Sequence, residues 1–99
     1  MIFLIDLLSL NTYSAKHVAL GHLKYSLNDT DSYVLLATKE NIANFDQLDI
    51  FFKKNVKVIN LPSKANKFIF RYIIILYYYY ALSVKEKVRL INFSGFFSL

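Results

Sequence analysis

The amino-acid sequence predicts an α/β domain with a parallel sheet of about four strands and crossover helices between them. Short apolar runs rich in Val, Ile and Leu alternate along the chain with segments that have helical length or helical spacing. Alternation of this kind is typical of a parallel sheet with helices on both faces. Right-handed crossovers then give the strand order 3-2-1-4. The 99 residues correspond to one small domain, residues 1–99.

The first strand and the first helix are predicted near the start of the chain. Residues 2–8 form an apolar run interrupted only by Asp6, which fits a strand covered on both faces. A polar turn follows at 9–13, and a helix is predicted from Ser14 onward because apolar side chains recur there at near-helical spacing. The polar cluster at 28–31 ends this helix.

Two more strands and a short helix are predicted in the middle of the chain. Residues 33–38 are apolar and rich in strand-forming side chains. A short helix capped by Asn44 follows, with acidic residues near its start. Residues 55–61 alternate apolar and polar side chains before Pro62, which predicts a third strand near an edge of the sheet.

The longest apolar segment, residues 68–84, has three interpretations. Its length and position favour a crossover helix, and the alternatives are a membrane-surface or membrane-spanning segment and a strand-containing segment. The tyrosines at 77–80 point in four directions around a helix, so some of their hydroxyls must reach water or a partner. Residues 88–93 form the predicted fourth strand, and a loop begins at Ser94.

Composition and charge narrow the class of protein. The net charge is +5, but the chain contains no recognised basic-aromatic module, so we do not predict nucleic-acid binding. The absence of Cys excludes disulfides and Cys-ligated metal sites. His17 and His22 lack the i, i+4 spacing of a helical metal site, and no P-loop or GxGxxG motif is present to hold a nucleotide cofactor. The first residues lack the basic start of a secretion signal, which predicts a cytoplasmic protein.

The predicted order places two loops side by side, at the carboxyl ends of the first and fourth strands, where open α/β sheets bind ligands. The first loop supplies Asn11, Thr12 and Ser14, short polar groups that suit an anion or a sugar, although capping of the helix by Thr12 or Ser14 is the simpler explanation. His17 is either a substrate contact or an ordinary surface histidine. Asp6 is either a functional carboxylate or, as we favour, an acceptor for nearby loop amides.

Five segments follow one another in a recognisable sequence: FLIDLLSL, LGHLKYSL, DSYVLLATKENIANF, NVKVINLP and VRLINFSGFFSL. Together they resemble the start of a family 4 type (group 1) glycosyltransferase of the GT-B fold. In that family an N-terminal Rossmann-like domain binds the acceptor, and a C-terminal domain binds the nucleotide sugar.

The resemblance implies that residues 1–99 are a partial Rossmann-like domain from the acceptor side of such an enzyme. The implied relatives act in polysaccharide biosynthesis, moving a sugar from a nucleotide-sugar donor to a cell-surface glycan or lipid-linked acceptor. A truncated chain, inactive alone, is implied because the family's donor-binding domain lies beyond Leu99. Residues 11–15 stand where the family carries glycines. The implied acceptor-binding residues, with no catalytic residue, metal or cofactor among them, are Asn11, Thr12, Ser14, His17, Ser94, Gly95 and Phe96.

A membrane surface and a second chain are further predicted partners. The 56% hydrophobic composition predicts an exposed apolar patch. Lys64, Lys67, Arg71 and Tyr77 are predicted to dock on an anionic membrane at its inner face, where lipid-linked acceptors reside. The alternative functions are a small non-enzymatic membrane-associated protein organised around residues 68–84, and an α/β module that dimerises through the open edge of its fourth strand.

Overall fold

The protein contains a four-stranded, all-parallel sheet in the order β3-β2-β1-β4. The computed structural model describes residues 1–8, 18–19, 21–23, 25, 27–28, 30–43 and 53–93. Both the α/β class and the strand order predicted from the sequence are confirmed. The strands are β1 (Ile2–Asp6), β2 (Ser32–Thr38), β3 (Val56–Leu61) and β4 (Val88–Asn92).

Helical segments lie between consecutive strands, as parallel pairing of these strands requires. Helical residues occur at 18–19, 21–23 and 25, between β1 and β2. Helix α1 begins directly after β2, a 3₁₀ turn follows β3, and helix α2 leads to β4. The crossover-helix interpretation of residues 68–84 is therefore confirmed, and the strand-containing one is wrong. The helix expected from Asn44 lies outside the described residues. The helical elements are α1 (Lys39–Ala43), the 3₁₀ turn (Ser63–Asn66) and α2 (Phe68–Ser83).

Side chains that alternate along β1 and β2 build a separate hydrophobic core on each face of the sheet. On one face, Ile5 and Leu35 pack with Leu23 of the first helical segment. On the other face, Leu4 and Ile75 lie in one cluster, so α2 covers this side. Because β1 and β2 are the central strands, both of their faces are buried, which explains why they read as continuous apolar runs.

The two edge strands carry exposed polar side chains within their length. In β3, Lys57 and Asn60 are exposed, as expected for the edge strand that Pro62 terminates. In β4, Arg89 is exposed and pairs in register with Phe3, whose side chain packs on the core opposite α2. Arg89 therefore marks the sheet face that α2 does not cover.

A turn closed by the side chain of Asn28 precedes β2 at the amino edge of the sheet, where the strands begin. The Asn28 carboxamide oxygen accepts the backbone N–H groups of Thr30 and Asp31, at 2.9 and 2.8 Å. The Asn55 side chain donates to the backbone carbonyls of Asn28 and Asp31, which ties the start of β3 to this turn. An Asx-type turn of this kind explains why the polar cluster at 28–31 ends the preceding helix.

Candidate functional site

The carboxyl ends of β1 and β4 lie next to each other, at the point where the strand order reverses direction. Asp6 at the end of β1 pairs in register with Asn92 at the end of β4. The segments that leave these two strands therefore begin side by side, as ligand-binding loops do at the switch point of an open α/β sheet. The predicted acceptor-binding residues on those segments lie outside the described residues: Asn11, Thr12, Ser14, His17, Ser94, Gly95 and Phe96.

A buried ion pair joins the end of β1 to the first turn of α2. Asp6 is fully buried, and its Oδ2 accepts hydrogen bonds from Nε and Nη2 of Arg71, at 3.1 and 2.7 Å. Its Oδ1 accepts the backbone N–H of Leu8 at 2.9 Å. The Leu8 contact confirms the favoured interpretation of Asp6 as an acceptor for loop amides. The partnership with Arg71 is a contact that the sequence analysis missed.

The prediction that Arg71 docks on a membrane is wrong, because its side chain is only 2% exposed. Arg71 and Ile75 are four positions apart on α2, so both project from the face that packs on the sheet. A guanidinium at that position must meet a carboxylate rather than solvent. The other predicted docking residues are at the surface, since Lys64 and Lys67 are exposed and Tyr77 is 65% exposed.

A second buried polar group lies at the end of β2. Thr38 is fully buried, and its N–H and hydroxyl both donate to Oδ1 of Asn41, each at 2.8 Å. Asn66, in the 3₁₀ turn before α2, donates to the Thr38 hydroxyl at 3.2 Å. The face of the sheet that α2 covers thus changes from apolar to polar at its carboxyl edge, where Asp6 and Thr38 occupy the ends of neighbouring strands.

The buried polar groups at Asp6 and Thr38 are suited to holding the carboxyl edge of the sheet, where the strands end, in place. The Asp6 carboxylate already accepts hydrogen bonds on both oxygens, and charge-assisted bonds of this kind fix geometry strongly. Ser63, in the 3₁₀ turn, donates to Glu40 of α1 at 2.6 Å, and this hydrogen bond is the main reason that the pKa of the Glu40 carboxyl is lowered. These contacts join α1 to the 3₁₀ turn, and α2 to the end of β1, from which the first predicted ligand loop leaves.

His22 packs against the residue that directly follows β4. Its ring lies edge-on to Phe93, with 5.5 Å between the ring centroids and 64° between the ring planes. Among the described residues its buried Nδ1 has no hydrogen-bond partner, and burial lowers the pKa of the imidazole. Spacing along the chain gives no indication of this contact, because it depends on the adjacency of β1 and β4. His22 therefore belongs to the structure that supports the carboxyl ends of β1 and β4, the position that we call the β1–β4 crevice.

Two classes of site are not found among the residues that the structure describes. They contain no group of three or more His, Cys, Asp or Glu side chains placed to hold a metal ion. In the same part of the chain, no helix is both long enough and apolar enough to cross a membrane.

The strand order and the helices between the strands define an α/β protein with a partial Rossmann-like fold. Comparison with protein-family models, curated proteins and solved structures gave no match to this chain. The glycosyltransferase assignment therefore stays a prediction from the sequence.

Proposed function

We propose that this chain is the acceptor-side part of a GT-B glycosyltransferase of the family 4 type. Its relatives in this proposal transfer a sugar from a nucleotide-sugar donor to a cell-surface glycan or a lipid-linked acceptor. The chain binds the acceptor and does not transfer sugar alone. Transfer needs a second, donor-binding domain, on the same polypeptide or on another chain.

The observation that carries the proposal is the register between Asp6 and Asn92, which aligns the carboxyl ends of β1 and β4. Asn11 follows Asp6 by five residues and Ser94 follows Asn92 by two. The two predicted loops therefore leave the sheet from neighbouring strand ends.

The residue types in these loops suit a neutral, hydroxyl-rich ligand. Asn, Thr and Ser side chains both donate and accept hydrogen bonds, as recognition of sugar hydroxyls requires. In this proposal Asn11, Thr12 and Ser14 contact the acceptor from the β1 side, and Ser94 contacts it from the β4 side. The ion pair between Asp6 and Arg71 holds the start of the β1 loop by fixing Leu8.

Binding of the purified chain to an array of cell-surface polysaccharide fragments and their lipid-linked precursors tests the proposal. We expect a subset of glycans to bind, and the double variant Asn11→Ala/Thr12→Ala to weaken that binding about tenfold, since a neutral hydrogen bond contributes about 0.5–1.5 kcal/mol. The matched control is Asn60→Ala, an exposed position on the edge strand β3. It should bind like the unmodified chain.

Two results on this array would contradict the proposal. One is the absence of binding to every glycan at millimolar concentration, which would remove the acceptor role. The other is binding that both Asn11→Ala/Thr12→Ala and Asn60→Ala leave unchanged, which would place the glycan away from the β1–β4 crevice.

A further inference from the structure

The outer half of α2 presents an apolar surface to its surroundings. Side chains on this half are exposed, although α2 has no charged residue apart from the buried Arg71. A helix that is apolar on all sides is normally covered on all sides. We call the exposed half the outer face of α2, and its members include Ile69, Phe70, Tyr72, Ile73, Tyr77 and Tyr80.

The outer face of α2 also contains a shallow, open apolar site. Five side chains from successive turns of the helix line this site, and all of them are aliphatic or aromatic. Tyr77 and Tyr80 are 65% and 64% exposed there, so their rings combine an apolar body with a hydroxyl that can reach a polar layer. Rings of this kind are enriched where an apolar phase meets water. The lining residues are Ile73, Leu76, Tyr77, Tyr80 and Ala81.

Lysines stand at both ends of α2. Lys64 and Lys67 precede the helix and are exposed, and the Lys64 ammonium lies 5.8 Å from the centroid of the Phe70 ring. Lys85 and Lys87 follow the helix and are also exposed. The sequence from 50 to 85 contains no acidic residue, and Glu86, which lies between Lys85 and Lys87, is paired with the amino-terminal ammonium of Met1. The outer face of α2 therefore combines an apolar strip with cations at both ends. It is complementary, in polarity and in charge, to a surface that has an apolar interior beneath an anionic outer layer.

The same charges argue against a second copy of this chain as the partner. If two copies of α2 packed in antiparallel fashion, Lys64 and Lys67 of one would approach Lys85 and Lys87 of the other. Parallel packing would bring each pair of lysines against its own equivalent. Either arrangement places like charges together, which disfavours association.

We propose that the outer face of α2 docks on the surface of an anionic lipid bilayer. The helix lies in the plane of the interface, with Ile73 and its neighbours in the acyl boundary and the tyrosine hydroxyls at headgroup depth. The lysines at the two ends contact lipid phosphates. Arg71 stays in its ion pair with Asp6 and takes no part. This inference is independent of the glycosyltransferase proposal.

Co-sedimentation of the full chain with lipid vesicles tests the inference. We expect binding to vesicles of equal parts phosphatidylglycerol and phosphatidylcholine, and much weaker binding to phosphatidylcholine alone. Ile73→Glu should lower the partition coefficient about tenfold or more, because it puts a charge into the buried strip. Lys64→Ala/Lys67→Ala should lower it about thirtyfold at low salt, and less as salt is raised.

The matched control is Val18→Glu, which places the same charge on an equally exposed apolar residue of the first helical segment. Val18 is 61% exposed and Ile73 57%, so both variants should retain the circular dichroism spectrum of the folded chain. Val18→Glu should bind the anionic vesicles like the unmodified chain. If Ile73→Glu does not fold, the lysine double variant decides alone.

Three results would overturn the inference. The first is equal binding to anionic and neutral vesicles, or to neither. The second is an equal loss of vesicle binding in Val18→Glu and Ile73→Glu. The third is a lipid-free dimer, seen by analytical ultracentrifugation, that Ile73→Glu converts to monomer, because the partner of this face would then be a second copy.

Discussion

Replacing Arg71 by Met should lower the free energy of unfolding by about 3–5 kcal/mol. The substitution leaves the Asp6 carboxylate, which is fully buried, without the guanidinium that now donates to it at 3.1 and 2.7 Å. A buried carboxylate that has lost both its hydration and its counter-ion is strongly destabilising. Urea denaturation followed by circular dichroism measures the effect as a shift of the transition midpoint.

Two further variants show how much of this loss of stability comes from breaking the ion pair and how much from replacing arginine by the smaller methionine. Arg89→Met removes an exposed cation from an edge strand and should change stability by no more than about 0.5 kcal/mol. The double variant Asp6→Asn/Arg71→Met should recover most of the loss, because the carboxamide oxygen still accepts the Leu8 N–H without a buried charge. A double variant no more stable than Arg71→Met would show that the ion pair is not the source of the effect.

Replacing Ile75 by Ala should cost about 2–5 kcal/mol, the usual range for a large apolar side chain in a packed core. Ile75 is 0% exposed and lies in the cluster that contains Leu4 and Leu36. Urea denaturation followed by circular dichroism also measures this loss of unfolding free energy. This variant tests directly which half of α2 faces the sheet.

Ile73→Ala is the matched control, since it removes the same atoms two positions away on the same helix. Ile73 is 57% exposed, so its loss should cost no more than about 0.5–1 kcal/mol in the lipid-free chain. Equal losses for the two variants, or a larger loss for Ile73→Ala, would contradict the orientation of α2 described here.

The strands were predictable because their patterns differ with their place in the sheet. The central strands β1 and β2 are continuous apolar runs, whereas β3 alternates and stops at Pro62, as an edge strand does. Alternation of strands and helices, together with right-handed crossovers, then left few arrangements, and the order 3-2-1-4 is the one observed. Predicted strand ends differ from the structure by one or two residues.

The orientation of α2 was not predictable in the same way. Its sequence is apolar on nearly every side, so no periodicity separates the half that faces the sheet from the outer face of α2. Arg71, the helix's one charged residue, was predicted to dock on an anionic membrane together with the neighbouring basic and aromatic residues. Its partner Asp6 is 65 positions away in the sequence, and only the packing of α2 on the end of β1 brings the two together.

A nitrogen-15 NMR titration tests the central claim, that function resides at the β1–β4 crevice, most directly. The labelled chain would be titrated with the glycan that binds most tightly on the array, and backbone amide shifts would be followed. We expect the largest changes at the carboxyl edge, at Leu8 and Phe93, and almost none at the amino edge, at Thr30 and Lys87. Changes concentrated at Thr30 and Lys87, or absent throughout, would contradict the account.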